Sequence, residues 1–172
     1  MSREFPDFVE PWRMADGRRS IGGTIPLARL KRLLPLLDSS DGDATFRLNF
    51  GYDAQQRAVV TVKVEAELKL ICQTSLEPYF ENVRQRSELL IISDQADQAN
   101  LSEQEEFLLV DEGRFAVADL VEDELLLAVP QIPRNPELNS EAGYVVSEES
   151  GEENIQRPFE SLAELMKNRA KQ

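Results

Sequence analysis

Between Thr45 and Tyr52 apolar and polar residues alternate, with Phe46, Leu48 and Phe50 set against Arg47, Asn49 and Gly51. A period of two predicts a strand with one buried face. Asp38–Asp43 (DSSDGD) before it is turn chemistry, and Asp53–Gln56 after it is short enough for a hairpin loop. Ala58–Val64 answers with Ala58, Val60, Val62 and Val64 on one face, and Glu67–Cys72 continues with Leu68, Leu70 and Cys72 inward. Phe80–Ile92 begins polar and ends in Leu89-Leu90-Ile91-Ile92, which predicts a buried strand end. Ser93–Glu106 reads as a polar loop, and Phe107–Val110 as one more short strand. These connections are too short for parallel crossovers, so the pieces form an antiparallel meander.

The period changes in Phe115–Pro133. Val117, Leu120, Val121, Leu125 and Ala128 follow helical spacing, and Leu126, Leu127 and Val129 widen the apolar surface beyond one stripe. Asp119 reads as the N-cap, with Glu122 three positions on in capping-box register, and Pro130 and Pro133 end the helix. A second amphipathic helix is predicted over Pro26–Leu34, with Leu27, Leu30, Leu33 and Leu34 on one face. Residues 1–12 read as an extended arm whose Phe5, Phe8 and Trp12 pack onto the domain, and Gly22–Gly23 break the segment after it. The expected fold class is α+β: an antiparallel β-meander or partly closed barrel, packed amphipathic helices, and a mobile acidic C-terminal tail. Residues 1–133 make one domain, and 134–172 the tail. The tail ends in a short amphipathic helix over Pro158–Lys171, with Phe159, Leu162, Leu165 and Met166 on one face.

Charge sharpens this picture. The net charge is −13. Residues 1–92 balance thirteen Lys and Arg with thirteen Asp and Glu, whereas residues 93–172 set six against nineteen, so the second half holds the whole excess. Such a field repels nucleic-acid phosphates. The local exception is the basic segment Arg13, Arg18, Arg19, Arg29, Lys31 and Arg32, in which Asp16 is the only acid. It is the candidate RNA contact, against a plainer reading as the solvated side of packed elements. Phe46, Phe50 and Tyr52 also offer themselves to RNA, but their aliphatic company favours burial.

The chain has no histidine and one cysteine. Ser–His and Cys–His catalysis and His- or Cys-rich zinc sites are therefore out of reach. No P-loop, dinucleotide fingerprint or EF-hand spacing occurs, so no catalytic residue, metal or cofactor is expected. A nuclease built on Asp119, Glu122 and Asp123 with Mg²⁺ is disfavoured, because no Lys or Arg flanks them to hold a phosphate. A lone thiol, no signal segment and no membrane-length apolar run predict a cytoplasmic protein. Cys72 reads as a small core residue. Asp123, Glu124, Leu126 and Leu127 are the candidate partner-binding residues, because the cap already accounts for Asp119 and Glu122.

Four segments carry a family resemblance. They are Pro11-Trp12-Arg13 with Arg18-Arg19 and the following GGTIPLARL (22–30), Leu70–Gln73 with Leu76-Glu77-Pro78, VEDELLLAVP (121–130), and RPFESLAELMK (157–167). In this order, covering nearly the whole chain, they resemble the YceD family of large-ribosomal-RNA-subunit accumulation proteins. Many relatives carry a second cysteine three positions after the first, and some a Cys-rich stretch after the proline exit. Here those places are Ser75 and Arg134–Asn139, so metal binding does not carry over. The resemblance implies a non-enzymatic accessory role in making, processing or stabilising 23S rRNA and in ribosome assembly. Together with the acidic second half, this role makes a basic ribosomal or rRNA-processing protein the expected partner, with 23S rRNA itself as the alternative and no membrane.

Overall fold

The computed structural model describes residues 5–93, 101–102 and 104–139. The helix expected over Pro158–Lys171 lies outside them, as does most of the acidic tail. The first compact unit runs through Asn139.

Its centre is a five-stranded sheet in the order β2-β3-β4-β5-β6. The strands are β2 (Ser20–Pro26), β3 (Asp43–Tyr52), β4 (Ala58–Ile71), β5 (Pro78–Ile92) and β6 (Glu106–Leu109). The alternation in β3 and β4 is obeyed residue by residue: Phe46, Leu48, Phe50, Val60, Val62, Val64, Leu68 and Leu70 are all buried. A second, two-stranded sheet pairs β1 (Phe8–Val9) with β7 (Phe115–Ala116). The helices are α1 (Pro11–Asp16), α2 (Val117–Ala128) and α3 (Pro136–Asn139). None among the described residues is long and apolar enough to cross a membrane.

Five expectations are corrected. The sheet is open, because a layer containing α1 and α2 covers its inner face with Ala15, Val117, Leu120, Val121 and Leu125. The core is sheet against helix, and β2 and β6 remain separate edges. The meander is antiparallel only as far as β5, since β6 runs parallel to it, Leu90 opposite Phe107. Residues 93–105 intervene, and that length allows a parallel return.

Pro26–Leu34 is not an α-helix. It forms 3-10 turns at Leu27–Arg29 and Leu34–Leu36, with Leu30 N–H donating to the Leu27 carbonyl and Leu33 N–H to that of Leu30. A spacing of three suits the tighter turn, and Leu27, Leu30 and Leu33 are all buried. Gly22 and Gly23 do not break the chain but sit within edge strand β2. A Cβ at Gly23 would lie 2.8 Å from the Phe5 ring, so the arm fills the place of the missing side chain. There Phe5 meets Phe46 edge-to-face, with ring centroids 4.8 Å apart. The arm itself is less extended than expected: Trp12 belongs to α1 and is half-buried, and Phe8 is exposed under the Arg114 guanidinium.

Candidate functional site

Helix α2 starts at Val117 without a side-chain cap. β7 feeds it from an extended backbone, and the Val117 N–H donates to the Asp7 carbonyl at 2.9 Å. Asp119 therefore stands in the first turn, where the helix dipole favours an acid, and is not the N-cap. Pro130 ends the helix as expected, with the Val129 N–H closing on the Leu125 carbonyl.

Glu122 does not complete a capping box either. It is 5% exposed and reaches across to the 3-10 segment. One oxygen accepts the backbone N–H groups of Arg32 (2.6 Å) and Leu33 (3.2 Å), and the other accepts Arg32 Nε at 2.9 Å. The same guanidinium donates to Asp123 Oδ1 at 2.6 Å and to the Asp119 carbonyl at 3.2 Å. Hydrogen bonding to Glu122, and then to Asp123, raises the Arg32 pKa above its already high ordinary value. Arg32 is thus a clamp between the 3-10 segment and α2.

Glu124 was expected at a partner surface, but it is 3% exposed and turned under the helix, out of a partner's reach. Neither its Oε2 nor the Ser87 Oγ has a hydrogen-bond partner. Burial pushes the Glu124 carboxyl up; the nearby Ser87 hydroxyl offsets part of this, and the charges of Glu106 and Asp123 add to it. A carboxyl whose folded pKa lies above the ordinary 4.5 lends its stability below that pH. That stability is lost as pH rises through the folded value. Glu124→Gln does not titrate, so its stability relative to wild type will grow with pH. Urea midpoints measured between pH 4 and pH 8 will show the difference opening as pH rises. Parallel profiles for the two proteins would contradict it.

Asp123 is half-exposed beside Arg32. Leu127 is 74% exposed, and Leu126 lines an apolar groove of about 520 Å³ with Leu36, Ile71 and Val129. A second groove of about 460 Å³ lies along the first turns of α2. Its apolar lining includes Phe8, Leu108, Leu109 and Leu120, and Asp111, Glu112, Asp119 and Asp123 supply four acids against one cation, Arg114. β6 contributes to it, and no strand among the described residues pairs with the outer edge of β6.

The basic segment is dispersed. Arg13 approaches Glu10 at 3.8 Å, Arg29 approaches Asp7 at 3.5 Å, and Arg32 is held by α2. Arg18, Arg19 and Lys31 are exposed and make no ion pair among the described residues. Phe46 and Phe50 are buried, and Tyr52 donates its hydroxyl to Asp16 at 2.5 Å. Cys72 is buried as expected, in the turn after β4. Its sulfur accepts the Asn135 N–H at 3.4 Å; this contact, then donors from Ser75 and Thr74, lowers the thiol pKa to about 6. The Gln73 N–H donates to the Pro133 carbonyl, so the proline exit is laced to this turn. Among the described residues no group of three or more Cys, Asp and Glu could hold a metal ion.

A family model described as large ribosomal RNA subunit accumulation protein YceD matches residues 60–166, a span that begins in β4 and includes α2. A relative from Haemophilus influenzae, named large ribosomal RNA subunit accumulation protein YceD, is 32% identical over 133 residues. That alignment covers 76% of this chain and 75% of the relative. No solved structure matches.

Proposed function

The chain belongs to the YceD family, and from that premise we propose a non-enzymatic accessory factor for the accumulation of large-subunit ribosomal RNA. It works by docking a basic ribosomal or rRNA-processing protein in the cytoplasm. The observation that carries the docking reading is the acid-rimmed groove beside α2. Its apolar floor takes aliphatic side chains, and Asp111, Glu112, Asp119 and Asp123 set a field that attracts a cationic segment and speeds its encounter. The outer edge of β6, which no strand among the described residues pairs with, offers backbone groups to an extended peptide.

The buried Glu122 and Glu124 are framework for this surface. Asp123 and Leu127 are its accessible helix positions, with Leu126 facing the neighbouring groove. No step of chemistry is assigned to the carboxylates. Arg32 is the cation nearest them, and it is already bonded to Glu122 and Asp123.

Depletion of the protein will lower large-subunit relative to small-subunit rRNA, measured by quantifying both RNAs in total extracts. Re-expressed wild type will restore the ratio. D111N/E112Q/D119N/D123N will restore less than half of it while remaining soluble and folded, and D123N alone, which loses the same bond to Arg32, will serve as its stability control. An unchanged ratio on depletion would remove the rRNA role, and full rescue by the quadruple variant would remove the docking reading alone.

A further inference from the structure

Strand register brings three cations abreast on the sheet face turned away from the core. Arg47 stands opposite Lys63 and Lys63 opposite Arg86. All three are exposed; Arg47 and Lys63 alternate with buried neighbours, and Arg86 lies between half-buried Gln85 and buried Ser87. Adjacent strands lie about 4.8 Å apart, so the three charges originate within about 10 Å. Gly22 continues the row on β2 without a side chain and leaves the end beside Arg47 open.

Like charges directly opposite weaken a strand pair. This row contains two such pairs in succession. None of its members has an ion-pair partner among the described residues, although the chain carries a large excess of acid. Acids do occur on the same face, at Glu65, Glu67 and Glu88. Glu65 alone pairs there, with Arg84 at 3.9 Å, and leaves the row uncompensated. The next row is Ser20–Asn49–Thr61–Glu88, polar with one acid at its β5 end; Glu88 makes no ion pair with the cations among the described residues, and the Ser20 hydroxyl is bonded to Asn49.

We propose that Arg47, Lys63 and Arg86 form a binding site for the phosphodiester backbone of RNA. Two guanidinium forks and an ammonium across a sheet suit phosphate oxygens, which accept several charge-assisted hydrogen bonds at once. The exposed aromatic of this face, Phe80, is opposite Lys69, three rows of outward side chains from Lys63. Bases therefore have no stacking platform at the site, and recognition is of the backbone without sequence. α2 and its acids pack on the opposite face, so the sheet separates the repelling field from the site. The choice of RNA among polyanions rests on the rRNA role proposed above; the site itself does not use the groove beside α2.

The test is fluorescence anisotropy of the full chain with a folded fragment of large-subunit rRNA, titrated between about 50 and 200 mM salt. Wild type will bind at the low-salt end. R47Q/K63Q/R86Q will weaken binding at least tenfold and flatten the log–log salt slope by about two to three, roughly one for each lost phosphate contact. R18Q/R19Q/K31Q will bind within twofold of wild type. Matched melting temperatures will show that the variants are folded, and the row variant will bind a cationic partner peptide as wild type does. No binding of RNA by wild type, wild-type affinity in the row variant, or loss that follows Arg18, Arg19 and Lys31 would each overturn the proposal. So would equal, row-dependent binding to polyglutamate or to vesicles rich in anionic lipid, which would show a site for any polyanion. Failure of the groove variant in the rescue assay leaves this measurement unaffected, so the two readings fail separately.

Discussion

Glu122→Ala will lower the unfolding free energy by about 3 kcal/mol, the cost of removing one partner from a buried charged pair. The loss is large because the Glu122 carboxylate serves two backbone N–H groups as well as a side chain. Without it the Arg32 N–H loses its acceptor, and the Leu33 N–H keeps only its bond to the Leu30 carbonyl. The Arg32 side chain is 51% exposed and can rehydrate, which keeps the cost at the lower end of the range. Arg32→Ala will therefore be milder, about 1–2 kcal/mol, since Glu122 would keep its two backbone donors. Urea denaturation of the two single variants and the double variant at pH 7 will show coupling between the sites. A Glu122→Ala protein within about 1 kcal/mol of wild type would refute the clamp.

Phe46→Ala will cost about 4 kcal/mol, in the range for emptying a buried aromatic site. Phe46 is 2% exposed, and its ring supports Phe5 edge-to-face where Gly23 leaves space. Two effects then follow from one substitution. The core gains a cavity, and the arm before β1 loses its anchor. Thermal melts will report the first, and faster proteolytic cleavage within residues 1–12 the second. Phe5→Ala will reproduce the cleavage with a much smaller shift in melting temperature. A Phe46→Ala protein with wild-type protease resistance would show that β1 and β7 alone hold the arm.

The strands were legible where their pattern is local. Phe46, Leu48 and Phe50, and then Val60 through Leu70, alternate in the sequence as they do in the sheet. The direction of β6 was not legible, because four residues with one burial pattern fit either orientation. Leu27, Leu30 and Leu33 misled for a related reason: a spacing of three suits both a helix and a chain of 3-10 turns. Prolines at 26 and 35 bracket too few residues for the longer form to offset its nucleation cost.

At the candidate site, local reasoning placed an acidic helix ending at Pro130, and the helix is there. It assigned the acids wrongly. A capping box is a short-range pattern, whereas Glu122 is bonded to residues some ninety positions away. Glu124 differs from Asp123 only by its turn around the helix axis, yet one is buried and the other half-exposed.

The sequence alone determined the strand faces, the acidic helix and its stop, and the family, because each is written in contiguous residues or in their order. The tertiary structure alone decided which carboxylates are sealed in the core, which arginine is consumed as a clamp, and which cations stand side by side. Burial and pairing are properties of neighbours in space, and strand register brings together Arg47, Lys63 and Arg86 from three separate strands.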